Sequence, residues 1–300
     1  MDSEEAPAEG EPQAGGARTG EPSAGGESRA GRNLPAAVVV GFILFALVVA
    51  TFVFWPPGTV ILMAILGVLG TMEIRHALRR TGMNADIVPV AVGTAAIVLA
   101  AYAAALWPGQ TWETVKWAVL GVTIVGCLIW RMPAGADGYA RDAAANVFIV
   151  GYVGVLAAFT GPLIAMPSGV WKLATVFLCV VGSDTGGYIL GATLGKHPMA
   201  PKVSPKKTWE GMVGSVILAG VLGVLMAIFV LQRAWWFGLG LAVVIVVFGT
   251  LGDLIESMIK RDVGIKDMSS VLPGHGGVME RLDSMLVAIP VGWLVFSLPL

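Results

Sequence analysis

The sequence predicts an all-α integral membrane protein of about nine transmembrane helices. Hydrophobic residues make up 56% of the chain and charged residues only 13%, whereas soluble domains carry about 25% charged residues. The mean hydropathy is +0.80. Apolar segments of roughly 20 residues, the length needed to cross a ~30 Å hydrocarbon core, recur between short polar breaks. The placement of lysine and arginine then predicts the orientation of the helices.

The first element is a polar tail at residues 1–33. It consists mostly of Gly, Ala, Pro, Ser and Glu, and no large apolar side chain follows Met1. Such a composition cannot bury enough surface to offset the entropy cost of ordering the chain. We therefore expect a disordered tail. Its acidic start differs from the basic start of a signal peptide.

The rest of the chain predicts helices that pack closely. The glycines of the seventh span, Gly211, Gly214, Gly220 and Gly223, indicate close helix contacts. The two cysteines lie far apart in apolar segments, without metal-ligand or redox spacing, which is typical of packing residues. The nine predicted spans lie at about 35–55, 58–74, 86–107, 112–130, 144–166, 170–190, 211–232, 235–258 and 281–298.

The basic residues predict a cytoplasmic N-terminus and a C-terminus on the opposite side. With nine spans in this orientation, sixteen of the 19 lysine and arginine residues lie on the cytoplasmic side. Only Lys116, Lys172 and Arg233 lie on the other side. Cytoplasmic loops of membrane proteins carry such an excess of basic residues. The polar segments described next therefore open to the cytoplasm.

Residues 253–284, the acidic segment, contain two helix ends that carry carboxylates. Asp253, Glu256, Ser257 and Lys260 are spaced to share one helix face. Similar spacing recurs at the start of the last span, in Glu280, Asp283 and Ser284.

Between these ends, Pro273-Gly-His-Gly-Gly277 predicts a tight turn, because glycine and proline in such density do not continue a helix. Two carboxylate-bearing helix ends are therefore tied together. Oxygen ligands of this kind suit a divalent cation, which binds through a few carboxylates and substrate phosphates.

Residues 182–211, the basic segment, carry a second group of polar residues. Asp184 lies in an apolar helix, where an ionisable group is costly, so we expect it to face a partner or an aqueous cavity. A structural Asp paired with a neighbouring Lys is the alternative. The loop that follows contains Lys196, His197, Lys202, Lys206 and Lys207, and then Ser204 and Thr208.

Lysines and hydroxyls at a helix start suit phosphate groups. A basic patch that attracts anionic lipid head groups is the competing interpretation.

The simplest interpretation of two further groups of charged residues gives them no part in the site. Glu73, Arg75 and His76 end the second span and predict a snorkelling cluster, with a substrate contact as the alternative. The charged residues of the next predicted cytoplasmic loop are expected to be solvated; they are Arg131, Asp137, Arg141 and Asp142.

The two segments together resemble the phosphatidate cytidylyltransferase family, also called CDP-diacylglycerol synthases. The resemblance covers roughly residues 182–284 and departs from the family at Glu280, where an Asp is usual. It rests on the motifs Asp184-Thr-Gly-Gly-Tyr188, Ser204-Pro-Lys-Lys-Thr-Trp-Glu-Gly211, Ser257-Met-Ile-Lys-Arg261, Lys266-Asp267, Leu272-Pro-Gly-His-Gly-Gly277 and Arg281-Leu-Asp283.

The resemblance implies a Mg²⁺-dependent reaction of CTP with phosphatidate that gives CDP-diacylglycerol and pyrophosphate. We expect it at the cytoplasmic face of the cell membrane, with one or two cations. Residues 34–166 are then N-terminal membrane helices and residues 167–300 the catalytic membrane region.

Site residues follow from the motifs and from their charges. We expect the cation ligands to be Asp253, Glu280 and Asp283. The residues expected to act in catalysis are Asp253, Asp283, Lys260, Arg261 and Lys207. Those expected to bind substrate are Asp184, Ser204, Lys206, Ser257, Lys266, His275, Gly276, Gly277 and Arg281.

Two other functions use similar charges. A CTP-dependent kinase of a lipid alcohol would transfer the γ-phosphoryl group and would need a base for a neutral hydroxyl. A transporter of an anionic lipid or ion would use Asp184, Asp253 and Glu256 as intramembrane sites. We expect no nucleic-acid partner, and the sequence leaves open whether protomers pair as a homodimer.

Overall fold

Nine long helices make up most of the structure, a computed structural model that describes residues 34–107, 112–269 and 276–299. The predicted tail at residues 1–33 lies outside the described residues. The helices are α1 (Leu34–Phe54), α2 (Pro56–Leu78), α3 (Ile87–Leu106), α4 (Trp112–Arg131), α5 (Tyr139–Ala165), α6 (Gly169–Leu194), α7 (Trp209–Val230), α8 (Trp235–Asp262) and α9 (Met279–Ser297).

Seven helices of the described part, α2 to α8, are long and apolar enough to cross a membrane. The chain is therefore a helical membrane protein, as its composition predicts. Helices α1 and α9 coincide with the first and ninth predicted spans. The start of α9 carries Glu280, Arg281 and Asp283, so charged residues occupy the first turns of this 19-residue helix.

The basic segment contains a small hairpin that the sequence analysis missed. Strand β1 (Pro198–Ala200) pairs antiparallel with β2 (Ser204–Thr208). Immediately after β2, the Thr208 Oγ1 accepts a hydrogen bond from the Gly211 N–H at 3.1 Å and caps the start of α7. Threonine is a favourable N-cap because its hydroxyl satisfies a free backbone donor. The hairpin thus fixes where its lysines stand relative to α7.

Glycines bring α6, α7 and α8 close together, as predicted. A methyl group added to Gly211 of α7 would lie 3.0 Å from the Gly187 carbonyl oxygen of α6. One added to Gly223 would lie 2.6 Å from the Gly238 carbonyl oxygen of α8. Such backbone contacts need residues without side chains. Cys127 and Cys179 are buried and free, as expected of packing residues.

The loop between α4 and α5 corrects one expectation. Arg131 and Asp142 were expected to be solvated, but they are 8% and 2% exposed. Their side chains form an ion pair at 3.0 Å, and Asp142 also accepts a hydrogen bond from the Asn84 N–H at 2.7 Å. Burial is tolerated because both charges are paired and hydrogen-bonded. Asp137 is exposed, as expected.

Polar contacts gather four loops at one end of the helix assembly. Asp142 joins the start of α5 to the loop after α2. Glu73, near the end of α2, bonds to the backbone of Val278 just before α9. Arg261, at the end of α8, donates to the Val203 carbonyl oxygen in the hairpin at 3.2 Å. The acidic and basic segments therefore lie at the same end.

Candidate active site

Three carboxylates meet where α8 approaches α9. One ligand oxygen from each of Asp253, Glu256 and Asp283 lies within 4.8 Å of the other two. Asp253 and Glu256 are three positions apart on α8, which places them on one helix face. Asp283 lies in the first turns of α9. The group, called the acid cluster below, supplies the oxygen ligands that divalent cations prefer.

A glycine on α8 permits this approach. A methyl group added to Gly252 would lie 2.5 Å from the Asp283 carbonyl oxygen and 3.2 Å from the Ser284 Cα. Any side chain at this position would push α9 away from α8. The neighbouring Asp253 can therefore reach Asp283 because residue 252 has no side chain.

Lys207 links the basic segment to the acid cluster. Its Nζ lies 2.5 Å from the Asp253 Oδ2. Both side chains are partly exposed, at 24% and 31%, so the pair stands in an accessible site rather than in the core. The prediction that the two polar segments converge is confirmed by this contact.

Asp184 belongs to the same region. It lines a cavity together with Asp283. The charged groups near enough to act on its carboxylate are Asp253, Lys207 and Arg281. Asp184 therefore faces both a cavity and charged partners, which is the situation expected for an ionisable group in a membrane helix.

Lys260 and Ser257 hold the α8 carboxylates in place. Lys260 forms an ion pair with Glu256, one turn earlier on α8, and its Nζ lies 3.8 Å from the Glu280 Oε1. Glu256 is fully buried, so this pairing keeps a charged carboxylate tolerable inside the protein. Ser257 donates a hydrogen bond to the Asp253 Oδ1 at 3.3 Å.

Glu280 lies beside the acid cluster but has other contacts. Its Oε1 accepts a hydrogen bond from the Met268 N–H at 3.2 Å, and its Oε2 accepts one from the Gly277 N–H at 3.1 Å. Sequence reasoning grouped Glu280 with the two aspartates. In the structure Glu256 joins the aspartates, and Glu280 ties together the two ends of the loop between α8 and α9.

The other predicted site residues belong to β2, to the loop between α8 and α9 and to the start of α9. Ser204 starts β2 and is half-buried, whereas Lys206, Lys266 and Arg281 are exposed. Gly276 has φ +79°, a left-handed conformation that suits the predicted turn. The Gly277 N–H is engaged by Glu280. His275 lies outside the described residues.

Comparison with known proteins shows the family of the chain. Residues 35–298 match the sequence profile described as "Cytidylyltransferase family". The chain belongs to the cytidylyltransferase family. The match covers every described helix apart from Leu34, the first residue of α1, so it includes both polar segments.

Two of the three relatives of the cytidylyltransferase family named here are similar along most of the chain, and the third along half of it. The phosphatidate cytidylyltransferase of Mycobacterium leprae is 38% identical over 286 residues, which are 90% of this chain and 89% of that protein. That of Mycobacterium tuberculosis is 36% identical over 284 residues, 90% of this chain and 84% of that protein. That of Staphylococcus saprophyticus is 40% identical over 151 residues, 50% of this chain and 57% of that protein.

Sequence reasoning missed the role of Glu73 in this cytidylyltransferase-family chain. Instead of snorkelling, its side chain is buried at 5% exposure. It accepts hydrogen bonds from the Val278 N–H at 2.9 Å, the Met279 N–H at 2.7 Å and the Ser269 hydroxyl at 2.5 Å. Free N–H groups at a helix start attract such a carboxylate. Glu73 therefore fixes the start of the helix that carries Asp283.

Tyr152 was also missed, because it lies in a span that reads as purely apolar. It belongs to a π-helical segment, Val150–Val155, inside α5. Its hydroxyl is buried without a hydrogen-bond partner among the described residues, and the carboxylates of Asp283, Glu256 and Asp253 lie in its neighbourhood. Widened turns of this kind are frequent at functional sites, and this one brings a hydroxyl near the acid cluster.

Proposed function

We propose that this chain is a CTP:phosphatidate cytidylyltransferase. It transfers CMP from CTP to phosphatidate and yields CDP-diacylglycerol and pyrophosphate. The observation that carries the proposal is the contact of Lys207 with Asp253 beside Glu256 and Asp283, in a chain of the cytidylyltransferase family. Relatives named as phosphatidate cytidylyltransferases, similar over 90% of the chain, support the choice of substrates.

The reaction needs positioning more than proton transfer. A phosphate oxygen of phosphatidate attacks the α-phosphorus of CTP, and the bond to the bridging oxygen of the β-phosphate breaks, so that pyrophosphate leaves. The attacking phosphate is already largely ionised near neutral pH, because a phosphomonoester has a second pKa of ~6. The chain therefore has to hold two polyanions in line and balance the charge of the leaving group.

The acid cluster fits Mg²⁺, since its donors are all carboxylate oxygens and lie close together. A bound Mg²⁺ would supply charge neutralisation and Lewis-acid polarisation of phosphate oxygens. We assign Asp253 and Asp283 as its ligands. Glu256 is the third carboxylate of the cluster, whereas the backbone contacts of Glu280 suit a role in shaping the loop.

Basic residues around the cluster would balance the phosphate charge. Lys207 contacts Asp253 and Lys260 pairs with Glu256, and Arg261 follows Lys260 in the last turn of α8. Lys206, Lys266 and Arg281 are exposed and would receive the triphosphate as it enters. Asp184, Ser204 and Ser257 would line the pocket, and Tyr152 would offer its buried hydroxyl to the bound substrates. Gly276 and Gly277 are assigned to the shape of the loop, and His275 stays a candidate hydrogen-bond donor to a substrate phosphate.

We assign the site to the cytoplasmic face of the cell membrane, where CTP is present. The excess of basic residues on one side supports this orientation, as does the gathering of four loops at one end. The same excess of basic residues on one side supports nine membrane spans, in which α1 and α9 also cross the membrane. In this proposal residues 167–300 supply the chemistry, and residues 34–166 supply Glu73, Tyr152 and one wall of the cavity.

Pyrophosphate release tests the proposal. Purified protein in detergent, given CTP, phosphatidate and Mg²⁺, is expected to release pyrophosphate only when all three are present. Asp283→Asn is expected to remove most of the rate while the thermal unfolding transition persists, because the amide keeps the shape and loses the charge.

The matched control is Asp137→Asn, the same change at an exposed position in the loop between α4 and α5. It is expected to keep the wild-type rate. Full activity of the Asp283→Asn protein would contradict the assignment of the acid cluster, and absence of pyrophosphate with the wild-type protein would contradict the function itself.

A further inference from the structure

An elongated cavity of about 560 Å³ opens beside the acid cluster. Its walls come from α1, α2, α6 and α9, with Thr160 contributed by α5. The charged residues that line it are Asp184, Glu280, Arg281 and Asp283. We propose that this cavity holds one acyl chain of the phosphatidate substrate and limits the length of that chain. This inference rests on the proposed function.

The direction of three helices defines the two ends of the cavity. On α2 the lining residues run from Thr59 to Leu69, and Glu73 of the same helix bonds to the start of α9. On α9 they run from Val278, near the acid cluster, to Ile289. On α6 they run from Leu173 to Asp184. All three series therefore place the charged end near the acid cluster and the apolar end near Thr59.

The length of the cavity suits a single acyl chain. Thr59, Leu62, Met63, Leu66 and Leu69 lie on one face of α2, and ten residues of helix at 1.5 Å each extend over about 15 Å. This is half of the ~30 Å hydrocarbon core of a bilayer, the thickness that one leaflet of acyl chains fills. The volume lies within the ~300–1,000 Å³ of ordinary ligand pockets.

The charged end argues against a groove that only contacts bulk lipid. A wall that merely faced hydrocarbon would be apolar throughout, because exposing a charge to hydrocarbon is costly. Here Asp283 is assigned to the cation, Arg281 to phosphate and Asp184 to the pocket wall, so a phosphate head group at that end would place its acyl chain in the apolar part. Arg281 provides the positive charge that an anionic head group needs at this mouth.

The far end has polar features that limit the length of the bound chain. Thr59 and Thr160 line the cavity there, and both are buried at 6% and 0% exposure. Their hydroxyl oxygens have no hydrogen-bond partner among the described residues. Hydrocarbon does not satisfy a hydroxyl, so these residues mark the end of the acyl site.

Substitutions along α2 test whether the cavity limits the length of the acyl chain that the protein accepts. The rate with short-chain phosphatidate is compared with the rate with long-chain phosphatidate, both presented in the same detergent micelles with saturating CTP. Leu62→Trp fills the cavity about one turn from its apolar end and is expected to lower the long-to-short ratio of kcat/KM at least about tenfold, because the excluded methylenes lose their burial. Leu66→Trp, one turn closer to the acid cluster, is expected to shift the cutoff to still shorter chains.

Two further variants make the test decisive. Ile61→Trp introduces the same side chain at the adjacent residue, which is 40% exposed and does not line the cavity, and it is expected to keep the wild-type ratio. Leu66→Ala widens the cavity and is expected to move the preference towards longer or bulkier chains, which covers the case in which a tryptophan variant fails to fold.

An unchanged ratio in all cavity variants, or an equal loss at every chain length, would overturn the acyl-site inference. These outcomes leave pyrophosphate release by the wild-type protein intact, so they are distinct from failure of the proposed function. That failure would appear as no reaction of the wild-type protein with any phosphatidate.

Discussion

At the scale of single residues, the long-range contacts of Glu73 have the largest consequence. This side chain lies on α2, more than 200 residues before its partners at Val278 and Met279. It replaces the missing intrahelical acceptors at the start of α9 and neutralises the positive end of the helix dipole. The position of Asp283 therefore depends on a residue from the N-terminal half.

Glu73→Ala is expected to destabilise the protein by about 2 kcal/mol, because a lost helix cap costs up to ~2 kcal/mol and unsatisfied buried donors cost ~1–3 kcal/mol. Activity is expected to fall further than the loss of folded protein explains, since α9 loses its anchor. Denaturant unfolding in detergent and initial rates on the folded protein measure the two effects. The adjacent Met72→Ala, at an exposed position of 44%, serves as the control; equal effects of both changes would contradict the anchoring role.

Residue identities at the acid cluster were only partly predictable from the sequence. The spacing of Asp253 and Glu256 placed both carboxylates on one face of α8, and the structure retains that arrangement. The third member was harder to choose. Glu280 and Asp283 share a helix face, but free N–H groups near the helix start compete for Glu280, and local spacing does not reveal this competition.

At the scale of elements, the contact between α8 and α9 controls the site. Gly252 and Gly249 lie where α8 meets Ser284 of α9. Close backbone approach at Gly252 sets the separation of the carboxylates, because Asp253 and Asp283 are fixed to the two backbones. The lysine at the end of β2 then completes the arrangement from a third element.

Gly252→Ala and Gly240→Ala are expected to have opposite effects on the stability of the protein. An added methyl group at Gly252 meets the backbone of Asp283, so stability and activity should both fall. At Gly240, on the same helix, no atom lies within 4 Å of the added group, and replacing a helical glycine by alanine stabilises by up to ~1 kcal/mol. Thermal unfolding and pyrophosphate release compare the two; a harmless Gly252→Ala would contradict the close-approach argument.

The membrane helices were more predictable from the sequence than the hairpin between α6 and α7 and the π-helical segment within α5. Each predicted span coincides with a helix because runs of apolar residues and polar breaks are direct consequences of the bilayer. The hairpin at Pro198–Thr208 and the π-helical segment at Val150–Val155 were missed. Both depend on tertiary contacts, since a five-residue strand rich in lysine and one widened turn have no distinctive periodicity.

At the scale of the whole molecule, two polar segments from distant parts of the chain form one charged site at the end of an apolar cavity. Lys207 pairs with Asp253, and Asp184 and Asp283 line the same cavity. The charged end suits two phosphate compounds and the apolar end suits a lipid tail. A soluble nucleotide and a membrane lipid can therefore meet here, which is what the proposed reaction requires.

The fate of labelled CTP tests this account most directly. The purified protein is incubated with phosphatidate, Mg²⁺ and CTP labelled at either the α- or the γ-phosphate, and the lipid is extracted. Transfer of CMP predicts α-label in the lipid and γ-label in water-soluble pyrophosphate, with both signals lost in Asp283→Asn. Label from the γ-phosphate in the lipid, or no label in the lipid from either position, would contradict the account.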